Sequence, residues 1–317
     1  MHETRFMMGT LVDFTVYGAN KESASIAIKA AADEMQRVEN LFTIYGEGDN
    51  AVKAFNTSTL NTPKKLPKEV DKLLNTAKQI NIQSKGAFSI TLGALNKPWG
   101  FSATEVPTSP PPAEEISRLL KGSTACLQGL SGQRWKRTKP ECQLDFGAIA
   151  KGYAIDRGIE QLREDGIDNA IINAGGDIRV IGSHGERPWQ VGIRHPRNPE
   201  TVIATLQIEG DVSIVTSGDY ERTYIFDGMR YHHILDPNNG FPAGKSQSAT
   251  VIAKSATMAD GWSTALFVLG EKGLKSVSKR DMDAILVDAS GTVHTTANIE
   301  SRLQLSLSTS MLRTSDI

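Results

Sequence analysis

The chain has 317 residues, of which 39% are hydrophobic and 22% charged, enough to bury one full core or to divide into two lobes, which excludes a disordered chain. Net charge is −1 at pH 7 and the lysines and arginines are scattered, so no electrostatic footprint for nucleic acid or an anionic membrane is present. A small molecule or a protein is the substrate class that remains. Cys126 and Cys142 are the only cysteines. They are too few for a disulfide framework and lack zinc-site spacing, which leaves their redox state open.

In chain order, Met8 to Tyr17 alternates apolar and polar residues as a strand does. A strand this close to residue 1, with no membrane span and no signal-peptide pattern before it, predicts that a leader has been trimmed. Lys21 to Phe42 carries Ala24, Ile28, Ala31, Met35, Val38 and Leu41 at helical spacing. After a loop at Tyr45–Asn50, Glu69 to Ser84 repeats the pattern. Ala87 to Phe101 is apolar, punctuated by glycine and suited to lining a pocket. Pro107 to Pro112 is a loop or linker, because successive prolines exclude helix and central strand.

Further on, Ala170–Asn173 and Ile178–Ile181 read as strands joined by a Gly175-Gly176 hairpin turn. Thr201–Ile208 is a strand, Thr216–Tyr220 a glycine corner, Asp227-Gly228 a hairpin turn and Ala249–Ala253 another strand. A helix from Thr257 to Leu269 should end at Gly270 with a left-handed cap. Strands and helices mix without strict alternation, which predicts an α+β fold.

Three stretches carry chemistry. Leu144 to Asp156 reads as a strand-to-helix corner with the helix starting near Ala148. Its unpaired amide groups and Lys151 in the first turn can bind phosphate, or the small residues can simply pack a helix start on a sheet. It fits neither the Walker nor the dinucleotide glycine pattern. Asp260 and Thr264 are one turn apart on one helix face, an oxygen-only pair that suits a hard cation such as Mg2+, or else a helix acid beside a buried threonine. His232 and His233 must face opposite ways. One of them held near a phosphate can serve as a general base, or both can be structural.

Together these residues resemble the ApbE-like FAD:protein FMN transferases, also called flavin transferases. The pieces occur in family order: Met8-Gly-Thr10, Phe88 to Trp99-Gly-Phe101, Leu144 to Tyr153, Asn173-Ala-Gly-Gly-Asp177, Thr216-Ser-Gly-Asp-Tyr220, His233-Ile-Leu-Asp-Pro237 and Ala259 to Ala265. The resemblance implies a two-lobed, T-fold-like architecture acting as one functional unit over residues 1–317. It also implies a Mg2+-dependent enzyme that cleaves the FAD pyrophosphate, releases AMP and links FMN to a threonine or serine of an acceptor flavoprotein subunit of a redox complex.

By the same resemblance Asp260, Thr264 and the Ala148 carbonyl are metal ligands, Asp145 and Lys151 contact FAD, and His233 is catalytic alongside Lys151. Met8, Tyr45, Gly93, Ala94, Leu95, Asn96 and Leu235 wall the flavin. Ser89 stands where the family usually has aspartate, and Asn96-Lys-Pro98 replaces a more apolar run. Kinship further implies a periplasmic protein held to the membrane only through a lipid anchor. FAD hydrolysis to FMN and AMP, or FAD binding without catalysis, are the alternative functions.

Overall fold

The computed structural model describes residues 1–101, 107–297, 299 and 306–307. Its first feature is a hairpin: Met8 and Gly9 both have positive φ, 54° and 70°, and turn β1 (His2–Met7) onto β2 (Thr10–Val16), with Met7 opposite Thr10. The strand expected over Met8–Tyr17 is β2, which starts only at Thr10 because Met8 and Gly9 form the turn, and a further strand, β1, precedes it. The remaining elements in the first half are α1 (Lys21–Phe42), α2 (Ala51–Asn56), β3 (Lys64–Lys65), α3 (Lys68–Gln83), α4 (Gly93–Trp99), α5 (Ala113–Ser123), β4 (Leu127–Leu130) and β5 (Arg134–Arg137). The second half runs α6 (Ala150–Glu164), β6 (Ala170–Ala174), β7 (Asp177–Ile181), β8 (Trp189–Arg194), β9 (Val202–Ile208), β10 (Val212–Gly218), β11 (Thr223–Phe226) and β12 (Met229–His232). It ends with β13 (Ser246–Ala253), α7 (Ala256–Leu269), α8 (Leu274–Ser278), β14 (Asp283–Asp288), β15 (Val293–Thr295) and β16 (Ser306–Leu307). Among the described residues no helix is long and apolar enough to cross a membrane.

The chain divides into two compact units, Met1–Glu39 with Ile149–Gly218 and Lys245–Ile317, and Asn40–Ala148 with Asp219–Gly244. The first unit is built on an eight-stranded antiparallel sheet in the order β1-β2-β6-β7-β10-β13-β14-β15. Residues opposite one another in such a sheet share a face. Ile214 lies opposite Ile178 and Ile252, and this face packs on Trp189, Val191, Ile193, Leu206 and Ile208 of β8 and β9. The alternate positions Val215, Ala249, Val251 and Leu286 are buried on the other face, where α6 and α7 lie against the sheet. By the same alternation Asp177, Arg179 and Ser217 point to the helices. Of the corner expected at Thr216–Tyr220, Thr216–Gly218 remain in register with β13 as the end of β10, and the turn itself is made by Asp219 and Tyr220. Gly270 does stop α7, but at φ 68° and ψ −154°, outside the left-handed helical region, and the chain continues as a short 3-10 turn.

Asp156 of α6 fixes the start of α7. Its carboxylate accepts from the amides of Ala256 and Thr257, the hydroxyls of Ser255 and Thr257, and the Arg179 guanidinium at 2.6 Å. The helices approach closely at Gly152, where an added Cβ would stand 2.2 Å from the Ala256 carbonyl oxygen.

In the second unit α3 buries Val70, Leu73, Leu74, Ala77 and Ile80, and Trp135 of the small β3-β5-β4 sheet donates to Asp71 at 2.7 Å. Trp99 is fully buried, donates to the Gly240 carbonyl at 2.9 Å and stacks on Phe101. Residues 144–146 belong to no strand, 147–149 form a turn, and α6 starts at Ala150. The backbone here bonds to residues 90–93, the Asp145 amide to the Ile90 carbonyl at 2.8 Å and the Gly93 amide to the Gln143 carbonyl at 3.1 Å, and the Asn56 side chain pairs with both the amide and the carbonyl of Leu144. Cys126 and Cys142 are joined as a disulfide, with Cα atoms 5.5 Å apart at a sequence separation of 16. This closes the question the sequence leaves open. A loop of that length is worth about 3 kcal/mol by its restriction of the unfolded chain. Cys126→Ala/Cys142→Ala, or reduction, should lower the urea midpoint accordingly, and an unchanged midpoint would show that the bond adds nothing.

Candidate functional site

On the helix-facing side of the first unit's sheet, four segments place polar groups in one cluster. Lys151, in the first turn of α6, reaches Asp177 at the start of β7 with Nζ 2.8 Å from Oδ2. Asp177 is almost wholly buried and also accepts the Thr216 amide at 3.2 Å. Asp260, in the second turn of α7, is buried and accepts the Gly152 amide at 2.8 Å. One turn on, the Thr264 hydroxyl is 3.3 Å from Ser217 Oγ, which is itself 2.9 Å from Ser263 Oγ. Asp260 and Thr264 thus share a helix face as their spacing predicts.

Two buried carboxylates stand against one ammonium here. Burial pushes the Asp260 carboxyl up to about 7, the Asp177 charge adds to the rise, and Lys151 and the Gly152 amide oppose it. A buried acid excess with hydroxyl oxygens beside it is a donor set that fits a hard divalent cation. Among the described residues no group of three or more His, Cys, Asp or Glu side chains could hold a metal, so a cation here must draw on hydroxyl or carbonyl oxygens as well. Ala148, the remaining expected ligand, is in the turn just before α6 and belongs to the second unit. Met8 belongs to the first. It holds a positive φ, uncommon for a side chain of its size, and its amide donates to Glu39 at 2.9 Å.

Within the second unit, the Asn96 amide nitrogen donates to Asp145 Oδ2 at 2.6 Å and approaches the Tyr45 hydroxyl at 3.4 Å. Asp145 Oδ1 accepts the Gly147 amide at 2.8 Å. These three expected flavin contacts are therefore one connected group. Gly93, Ala94 and Leu95 begin α4. Gly93 permits its close packing, since a Cβ would sit 2.8 Å from the Gln143 carbonyl oxygen. Leu95 and Leu235 are buried together with Trp99 and Ile116.

The two histidines do face opposite ways. His232 is buried and bonded to the Ala243 carbonyl at 3.0 Å, whereas His233 is exposed with Nδ1 3.1 Å from the Glu221 carbonyl. A carbonyl only accepts, so in this contact His233 Nδ1 carries the hydrogen, which makes Nε2 the nitrogen that can take a proton when the ring is neutral.

Sequence reasoning alone does not single out Asp177, Ser217 or Gly152 as site residues. Asp177 reads as a turn residue, and only its place opposite Ala174 at the end of a helix-facing strand brings it to Lys151.

Three likenesses bear on this arrangement. A protein from Klebsiella pneumoniae (strain 342), named FAD:protein FMN transferase, is 32% identical over 292 residues, covering 89% of this chain and 87% of that protein. A Rhodobacter capsulatus protein of the same name is 29% identical over 95% of this chain, which spans only 58% of that longer protein. The crystal structure of the ApbE protein from Thermotoga maritima superposes with a TM-score of 0.87 at 31% identity, covering 95% of this chain and 98% of that one. The ApbE family pattern itself matches residues 8–286, taking in both polar clusters, and the chain belongs to the ApbE family.

Proposed function

We propose that this chain is a Mg2+-dependent FAD:protein FMN transferase. It moves FMN from FAD to a threonine or serine hydroxyl of an acceptor flavoprotein subunit of a redox complex, with release of AMP. The names of its relatives support the reaction class, and the observation that carries the reading is the buried Lys151–Asp177–Asp260 cluster at the start of α6 and α7. Such a cluster suits a pyrophosphate with its counter-ion. The helix start and the Lys151 ammonium take phosphate oxygens, while Asp260, Thr264 and the Ala148 carbonyl hold the cation. When bound, Mg2+ neutralises charge on the phosphate oxygens.

Asp145, Asn96 and Tyr45 orient FAD, and Met8, Gly93, Ala94, Leu95 and Leu235 wall its flavin. The acceptor hydroxyl oxygen forms a bond to the FMN phosphorus as the bond to AMP breaks, and His233 Nε2 takes the hydroxyl proton. The demand on the protein is mainly positioning and charge neutralisation. We also propose that the two units act as one functional unit in an oxidising, extracytoplasmic compartment, a location the Cys126–Cys142 disulfide supports.

The Asp260 shift fixes a pH dependence. Its folded-state pKa of about 7 lies above the ordinary carboxylate range. In the metal-free protein its contribution to stability is complete at low pH, where the proton is held in both states, and is lost as pH rises toward 7. A cation must displace that proton, so Mg2+ affinity should climb with pH up to about 7 and then level off. Asp260→Asn should melt higher than the wild type at about pH 8 without metal, gain nothing from added Mg2+ and transfer no FMN. Wild-type transfer in Asp260→Asn would remove the metal assignment.

Lys151→Ala should weaken FAD binding by about 1.5–3 kcal/mol while leaving riboflavin binding unchanged, as read by calorimetry. The decisive measurement is the product. An acceptor should gain one FMN, with AMP appearing in equal amount, and replacing its target threonine with alanine should stop both. AMP and free FMN released at full rate without acceptor would instead mark a hydrolase, and FAD bound with neither product would mark a carrier.

A further inference from the structure

The loop that carries Tyr45 is wrapped around one ammonium group. Lys53 of α2 donates to the carbonyl oxygens of Tyr45 at 2.8 Å, Gly46 at 2.7 Å and Gly48 at 2.6 Å. An ammonium has three donors and no acceptor, so all of its hydrogens are committed to the backbone of a single short loop. Side chains at the loop's edges hold it further. Asn50 donates to the carbonyls of Asn40 at 3.0 Å and Thr43 at 2.7 Å while accepting the Lys53 amide at 2.9 Å, and Thr43 Oγ1 accepts the Tyr45 amide at 3.1 Å. Residues 43–50 have no strand or helix of their own, so these bonds are what define the loop. Three carbonyl dipoles converging on one point repel one another unless a cation sits there.

We propose that Lys53 is a positioning residue for flavin binding. Its ammonium is an internal cation that organises the 43–50 loop and so holds Tyr45 beside Asn96 and Asp145. This rests on the reading above that Tyr45 contacts FAD. A preformed loop spares the ligand the cost of ordering it, so the effect belongs in affinity rather than in the chemical step.

The test compares FAD affinity by flavin fluorescence and steady-state transfer kinetics in the full chain for wild type, Lys53→Met, Lys53→Ala and Lys53→Arg. Lys53→Met should bind FAD about tenfold more weakly, with KM raised to match and kcat within about twofold of wild type. Lys53→Ala should regain affinity on addition of ammonium or methylammonium, which carry N–H donors, and not with tetramethylammonium, which has none. Undiminished FAD affinity in Lys53→Met, or a loss confined to kcat, overturns the proposal while leaving the transferase reading intact. A wild-type chain that fails to bind FAD overturns both. Should the Met and Ala variants not fold, Lys53→Arg decides. Its planar fork cannot serve three carbonyls converging on one point, so weakened FAD binding with kcat retained supports the proposal and wild-type affinity overturns it.

Discussion

The first unit depends on the Asp156 carboxylate. Five hydrogen bonds converge on it from the start of α7 and from Arg179. A carboxylate so buried would be costly alone, and breaking such a pair by removing one partner costs several kcal/mol because the other charge is left stranded. Arg179 is itself held by Asp211 at 3.0 Å, so sheet, α6 and α7 meet in one charged network. Its geometric result is the angle and height at which α7 leaves the sheet, and therefore where Asp260 and Thr264 stand relative to Lys151. Gly152 completes the constraint by letting the two helices touch backbone to side chain.

The two acid clusters on this face behave differently for a plain reason. Asp156 has a guanidinium and the amides of a helix start to offset its charge. Asp260 has one amide and a lysine already engaged by Asp177, so burial, with the Asp177 charge beside it, raises its pKa to about 7. One cluster is electrically closed and serves the fold. The other is left in deficit, and a deficit of that kind is the property a site for a cation and a phosphate needs. Asn96, Asp145 and Tyr45 in the second unit form a neutral-to-acidic hydrogen-bonding group of the sort that orients a ligand.

Much of this was legible in the sequence where period alone decides structure. α1 spans Lys21–Phe42 as its spacing predicts, α7 falls within a residue of its expected bounds, and Gly175-Gly176 makes its hairpin. Legibility failed where distant groups take over the backbone's bonds. The stretch from Gln143 reads as a strand, but it makes only an isolated bridge to Leu92, and an asparagine side chain 88 residues away takes both backbone bonds of Leu144. The turn at Met8 lacks the usual Asn-Gly or Asp-Gly signal, so β1 went unread. Asp260 and Thr264 were found because both lie on one helix. Asp177 was not, because its meeting with Lys151 depends on strand register that no local pattern encodes. The Cys126–Cys142 pair likewise depends on proximity rather than spacing.

The pairing of β2 with β6 sets Val16 opposite Ala170, and this has a consequence for how the chain reaches its fold. About 150 residues must be looped before that ladder can close, at a chain-entropy cost of about 4 kcal/mol. Asn40–Ala148, the larger part of the second unit, is synthesised inside that loop. Local pieces such as the β1–β2 and β6–β7 hairpins can form early, whereas the joining of β1–β2 to the rest of the sheet waits on a long-range encounter. A chain whose β1–β2 hairpin has joined β6 has therefore completed the longest-range strand pairing among its described residues.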